Sequence, residues 1–210
     1  ETGIIPAVLR HLLDARKRTR GLIKQTDDEF KKKVLDGLQL AYKVTANSVY
    51  GQLGAKTSTV YKMSLAACTT SVGRSRIDDA SRGVKLWAEK KGYPEPDVVY
   101  GDTDSVFVKF SRYKDGRLLT GKEALKHCIE CGQEAGDYIT KGILKLEDAD
   151  GDEEIVEEEP LLCHPQDLEY EKTFWPFILI SKKRYTGDKY EFSTEECKRT
   201  SMGIVLKRRD

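Results

Sequence analysis

The chain has 210 residues, 34% charged and 39% hydrophobic, with a formal net charge of +1, enough length for one large domain or two small ones around a buried core. No apolar run approaches the ~18 residues of a membrane span, no signal-peptide pattern opens the chain, and five cysteines, an odd number, argue against a secreted disulfide framework, so an intracellular protein without a membrane partner is expected. The near-neutral total hides segregation, with basic residues crowding 10–33 and 182–209 and acidic ones 147–159, which allows a local phosphate-binding face.

In residues 6–24, Val8, Leu9, Leu12, Leu13 and Ile23 recur at the spacing of an amphipathic helix, with Pro6 suited to its first turn. Arg16 and Arg20 are four apart and share a face; taken alone, they and Lys17, Arg18 and Lys24 read as a solvated basic face. Thr26, with Glu29 three residues later, forms an N-terminal capping pattern. It predicts a second helix from Asp27 toward Ser48, with Phe30, Val34, Leu38 and Tyr42 as the apolar stripe and Gly51 and Gly54 as breakers. The short link predicts an antiparallel helical hairpin. Lys43, Asn47 and Tyr50 stand at i, i+4 and i+7. With Arg16 and Arg20 they offer the point charges and forked donors that suit a triphosphate.

Residues 64–90 predict a third helix whose small side chains suggest close packing against a sheet, and residues 92–96 a loop. Residues 98–110 form two β-branched runs around a short turn carrying Asp102 and Asp104, the pattern of a β-hairpin. Two residues apart, these carboxylates can point to the same side. Held together they repel each other unless a cation neutralises them, and hard oxygens in small number suit Mg²⁺ beside substrate phosphates. The bland alternative is an ordinary polar turn.

A helix on the sheet is expected over residues 123–138, where Cys128 and Cys131 form a lone Cys-x-x-Cys without a second pair at zinc spacing. The acidic stretch 147–159 places Asp148, Asp150, Asp152 and Glu159 at calcium-loop positions. Glu153, however, occupies the position where such a loop needs Gly, and a mobile acidic insertion is the better expectation. Residues 168–174 alternate as a strand, 175–180 lead toward a second, and 190–192 toward a third. Between them Lys182-Lys183-Arg184-Tyr185 is either a solvated turn or a grip for a phosphate backbone.

Three stretches taken together resemble family B DNA polymerases. Lys43-Val44-Thr45-Ala46-Asn47-Ser48-Val49-Tyr50-Gly51 resembles the fingers-helix motif Lys-x-x-x-Asn-Ser-x-Tyr-Gly, Tyr100-Gly101-Asp102-Thr103-Asp104-Ser105 the palm-hairpin motif, and Lys182-Lys183-Arg184-Tyr185 the primer-gripping motif, in matching order and spacing. Gly3-Ile4-Ile5-Pro6 and Ala15-Arg16-Lys17-Arg18 look like the start of the fingers in the delta-type branch. The ending, residues 201–210, looks most like the enzymes of large DNA viruses of eukaryotes.

The resemblance implies an α+β fold: a fingers helical hairpin over 1–50, then a palm over 51–210 with a mainly antiparallel sheet backed by helices. It implies two-metal nucleotidyl transfer from dNTPs to the 3′-hydroxyl of a primer on template DNA, in a nucleus or a viral replication site. Asp102 and Asp104 would hold Mg²⁺, two ions in all, with Glu171 as a further carboxylate. Arg16, Arg20, Lys43 and Asn47 would clamp the triphosphate, with Lys43 counted among the catalytic residues, and Tyr50 would sit beneath the nascent base pair. Lys182, Lys183, Arg184 and Tyr185 would track the primer terminus. A sliding clamp, if one binds, would use other parts of the protein.

One departure stands out. The first palm motif, of the Asp-x-x-Ser-Leu-Tyr-Pro type, is absent from this sequence. So are the exonuclease motifs, the thumb and the C-terminal cysteine clusters of the delta branch. The chain starts on Glu1 and ends on Arg209-Asp210, and is expected to be a fragment that is inactive by itself. Rival readings are a non-catalytic nucleic-acid-binding fragment and a haloacid-dehalogenase-like phosphatase, whose Asp-x-Asp signature Asp102–Val106 fits. That fold needs a parallel sheet and a helix soon after the motif. A glycosyltransferase Asp-x-Asp is disfavoured on the same grounds.

Overall fold

The computed structural model describes residues 3–114, 116–147 and 153–204. The chain divides into two compact units, Glu1–Val72 and Gly73–Asp210, the first helical and the second built from helices and small antiparallel sheets. The fold is α+β, as expected.

In the first unit, α1 (Ile4–Gln25) and α2 (Glu29–Gly54) are joined by three residues, so the second helix runs back along the first. Arg16 meets Gln39 across the pair, each at nearly the same sequence distance from the link, which sets the antiparallel register. Asp28, not Thr26, caps α2: its carboxylate accepts from the N–H groups of Phe30 at 2.9 Å and Lys31 at 3.2 Å, where a charged acceptor also meets the positive end of the helix dipole. Nor does α2 stop at Gly51. A single helical glycine costs only about 1 kcal/mol, and the helix runs on to Gly54 before the chain turns, with the Lys62 N–H donating to the Leu53 carbonyl at 2.9 Å. Helix α3 (Met63–Lys90) follows.

The second unit opens with the expected hairpin, β1 (Asp97–Asp102) and β2 (Ser105–Lys109). A two-residue-per-strand hairpin, β3 (Tyr113–Lys114) and β4 (Arg117–Leu118), comes before α4 (Gly121–Lys141). Strands β5 (Ile143–Glu147) and β6 (Glu153–Glu157) pair antiparallel, and β7 (Thr173–Ser181), β8 (Arg184–Tyr190) and β9 (Lys198–Met202) form a three-stranded antiparallel sheet in that order.

The core lies between the C-terminal half of α3 and α4. Trp87 and Ile139 are fully buried among Val84, Ala88, Ala135, Tyr138, Leu144 and Leu162, and Trp87 meets Tyr93 and Phe110 edge-on at 5.7 and 5.8 Å. The small residues of α3 therefore serve helix–helix approach as well as contact with a sheet. A Cβ at Gly83 would lie 2.6 Å from Ile139, and one at Gly101 on β1 would lie 3.3 Å from Ile77. Cys131 is buried beside His127, and burial pushes the thiols of Cys128 and Cys131 upward, keeping them in the neutral form that packs rather than the thiolate that binds zinc.

Two expectations need correction. Part of the acidic stretch is a strand, β6, because Ile155 and Val156 pair with Lys145 and Leu144 and Val156 reaches the core. Glu158 is then tied down by Lys90 and by the Tyr138 hydroxyl at 3.2 Å. The calcium-loop positions Asp148, Asp150 and Asp152 lie outside the described residues. The strand expected over 168–174 begins only at Thr173. Before it, Leu168 uses the Thr140 side chain in place of a ladder partner, donating to its Oγ1 at 2.8 Å and accepting from it at 3.0 Å.

Trp87→Ala is expected to destabilise the chain by about 3–5 kcal/mol, the usual cost of emptying an aromatic core site. Denaturant unfolding measures it, and a loss below about 1 kcal/mol, the level of a typical substitution, would show that this is not the core.

Candidate active site

Asp102 pairs with Ser105 across the hairpin, leaving Thr103 and Asp104 to make the turn. The Asp104 N–H donates to the Asp102 carbonyl at 2.6 Å, an i to i+2 closure that holds Thr103 at φ 56°. A β-branched residue rarely enters this left-handed region, which costs of order 1–3 kcal/mol. The turn is braced from within: the Thr103 hydroxyl donates to Asp102 Oδ1 at 3.1 Å, and the Ser105 hydroxyl to the Asp102 carbonyl at 3.2 Å. Strand β2 follows at once and pairs antiparallel, unlike the parallel strand and helix of a dehalogenase-like phosphatase.

A second tight turn faces the first. Ser181 pairs with Arg184, so Lys182 and Lys183 make the bend, with Lys183 at φ 59°. Tyr100 and Asp102 share a face of β1 because they are two residues apart, and Lys183 touches both. Its N–H donates to the Tyr100 hydroxyl at 2.8 Å, and its Nζ lies 2.9 Å from Asp102 Oδ1 and 3.0 Å from Oδ2. Behind this contact five rings from the two hairpins pack together. Phe107 lies 5.3 Å from Tyr100, 5.4 Å from Tyr185 and 5.6 Å from Phe177, and Phe174 lies 5.2 Å from Phe177. Pro176 sits where the β7–β8 register shifts, a bulge being where a strand tolerates proline. Gly203, at φ 64°, closes the back of the Lys183 turn: a Cβ there would lie 2.2 Å from the Lys183 carbonyl.

The Lys183 ammonium, by hydrogen bonding, holds the Asp102 carboxyl below its ordinary value of 3.8, with smaller help from the Thr103 and Tyr100 hydroxyls; Asp102 in turn raises Lys183. Asp104 is exposed and has no ion pair or side-chain hydrogen bond among the described residues. The donor set fits a hard divalent cation: one carboxylate is unengaged, and the other already has both oxygens on a positive charge. Glu171 lies in the extended segment before β7, exposed, 3.0 Å from Lys172. Among the described residues no group of three or more His, Cys, Asp and Glu side chains is arranged to hold a metal, so the three carboxylates do not gather into one cluster. Lys182 and Arg184 are exposed, whereas Tyr185 is buried in the ring cluster.

In the first unit, Arg16 and Arg20 lie on α1 and Lys43, Asn47 and Tyr50 on α2. Arg16 Nε donates to Gln39 Oε1 at 3.3 Å. Gln39 stands one turn before Lys43, so Gln39, Lys43, Asn47 and Tyr50 form one stripe with Arg16 reaching onto its first member. Arg20 is exposed one turn nearer the tip of the hairpin. Three contributors escaped the sequence reading. Gln39 would have appeared by extending the i, i+4 stripe one turn, and Tyr100 by stepping back two residues from Asp102. Gly203 has no local signal, since its neighbour is a turn twenty residues earlier.

The Asp102–Lys183 tie has a definite pH dependence. Asp102 is lowered in the fold, so the contact is fully present above the ordinary carboxylate value of 3.8 and is lost as pH falls through the depressed one. Carboxyl ¹³C NMR titration is expected to place the Asp102 midpoint below 3.8 and to show it returning toward 3.8 in Lys183→Met. An unchanged midpoint in that variant would break the assignment.

The amino-acid sequence has counterparts among known proteins. The family described as DNA polymerase family B matches residues 1–141 and 149–210. The DNA polymerase of Pyramimonas orientalis virus is 39% identical over 254 residues, covering 100% of this chain and 19% of the relative. The DNA polymerase delta catalytic subunits of Schizosaccharomyces pombe and Candida albicans are 38% and 35% identical, each covering 99% of this chain and 17% of the relative. The chain thus spans less than a fifth of the length of these curated relatives. With the match running through both units, this chain belongs to DNA polymerase family B.

Proposed function

We propose that these residues form the fingers (1–50) and part of the palm (51–210) of a DNA-directed DNA polymerase that extends a primer on a DNA template, in a nucleus or a viral replication site. One observation carries this function: the turn bearing Asp102 and Asp104 is docked on the basic turn of residues 182–184. A place for divalent cations thereby adjoins a place for a phosphodiester, the pairing that joining a nucleotide to a primer end requires.

In the reaction the primer 3′-oxygen forms a bond to the α-phosphorus of a dNTP, its proton passes to water, and the bond to pyrophosphate breaks. Asp104 and Asp102 would hold Mg²⁺, with Glu171 as a further carboxylate and another ligand from the first palm motif outside this sequence. When bound, the two ions neutralise charge on the attacking and leaving oxygens. Lys182, Lys183 and Arg184 hold primer phosphates while Tyr185 anchors their turn in the ring cluster. Arg16, Arg20, Lys43 and Asn47 bind the triphosphate: the guanidinium forks supply bidentate contacts, Lys43 a point charge and Asn47 a neutral donor. Charge placed there is worth most where it builds up on the departing pyrophosphate, which is why Lys43 ranks with the catalytic residues. Tyr50 lies under the nascent base pair, offering a flat apolar face. A sliding clamp, where one is used, contacts parts of the protein outside these residues.

In the polymerase containing this chain, Asp104→Asn is expected to cut template-directed primer extension with Mg²⁺ and dNTPs on the order of a thousandfold while primer–template binding is retained. Full extension by the variant would return the hairpin to a structural role. Arg16→Ala is expected to raise KM for dNTP by roughly tenfold, the worth of one charge-assisted hydrogen bond, with Gln39→Ala giving a smaller rise. An unchanged KM in Arg16→Ala would remove α1 from the triphosphate site.

A further inference from the structure

Lys183 is held in an unusual way. Its N–H donates to the Tyr100 hydroxyl at 2.8 Å, and its carbonyl lies so close to Gly203 that a Cβ there would come within 2.2 Å of it. Its φ of 59° keeps the turn tight. The side chain is not fixed in the same sense: it is 61% exposed, and its only partner among the described residues beyond that backbone frame is the Asp102 carboxylate. The ammonium spans both carboxylate oxygens at 2.9 and 3.0 Å, the position a hard cation takes on a carboxylate. A flexible four-carbon stem on an immobile backbone can change partner without moving the turn.

We propose that Lys183 is the resident counter-ion of Asp102 and exchanges partners during each binding cycle. In the DNA-free protein its ammonium balances one of the two hairpin carboxylates, while ring packing and the backbone bond to Tyr100 keep the two turns docked. A primer phosphate draws the ammonium away, and Asp102 is freed for a divalent ion at the moment DNA arrives. A divalent cation and an ammonium on one carboxylate repel each other, so Lys183 suppresses metal binding until a phosphate takes it up. Metal and primer are thereby coupled, each raising the affinity of the other. The coupling rests on the assignment of Asp102 and Asp104 as metal-holding residues.

Mn²⁺ binding, read by electron paramagnetic resonance of the free ion, tests this in the full polymerase without any turnover. Without DNA, Lys183→Met, which keeps the aliphatic stem and removes the charge, is expected to bind Mn²⁺ roughly tenfold more tightly than the wild type. Adding primer–template is expected to tighten Mn²⁺ binding by the wild type several-fold but to change the Lys183→Met value little. Lys183→Arg, which keeps the charge, is expected to follow the wild type and reports that the turn is intact. Equal, measurable Mn²⁺ affinity in wild type and Lys183→Met overturns the exchange and leaves the metal assignment standing. Mn²⁺ affinity unaltered by Asp104→Asn overturns the metal assignment, and the exchange with it.

Discussion

The packing of Tyr100, Phe107, Phe174, Phe177 and Tyr185 is the constraint on which the second unit's chemistry depends. A two-stranded hairpin is marginal in water by itself, and β1–β2 pairs with no third strand among the described residues. The rings give it a partner surface. Edge-to-face and offset contacts are directional as well as apolar, so they set the rotation of one hairpin on the other, not merely their proximity. With that rotation set, two turns meet that lie about eighty residues apart in the chain.

The electrostatics follow from this placement. Two carboxylates on a tight turn are unfavourable without positive charge nearby, and Lys183 supplies it from the facing turn. Both partners remain in contact with water, where an ion pair contributes little to stability. Its importance is therefore positional: the strained backbones at Thr103 and Lys183 are tolerated because hydrogen bonds and Gly203 hold them from outside. The helical hairpin of the first unit works with less support. Its charged side chains sit on two helices in register, and one contact, Arg16 to Gln39, links a guanidinium to the opposite stripe.

Much of this is legible in the amino-acid sequence alone. The helices expected over residues 6–24, 27–48, 64–90 and 123–138 and the hairpin around Asp102 and Asp104 announced themselves because period and turn chemistry are local, although α2 runs on to Gly54. The errors also have local causes. Asp28 outcompeted Thr26 as a cap through its charge, and Gly51 was overruled because a single helical glycine costs only about 1 kcal/mol. Thr140 took over the hydrogen bonding of Leu168 that a strand partner would have supplied. The short strands β3, β4 and β9 carried too few alternating residues to be read.

Sequence by itself determined the long helices, the β1–β2 hairpin with its carboxylate pair, the Lys43-Asn47-Tyr50 stripe and the basic tetrad, since each depends on local spacing. Only the tertiary structure decided which of these touch. That Lys183 sits on Asp102, that Tyr185 turns inward while Lys182 and Arg184 stay in water, and that Gly203 backs the turn all depend on ring packing and strand pairing between distant segments. Such contacts are selected by the shape of the folded core and have no period along the chain.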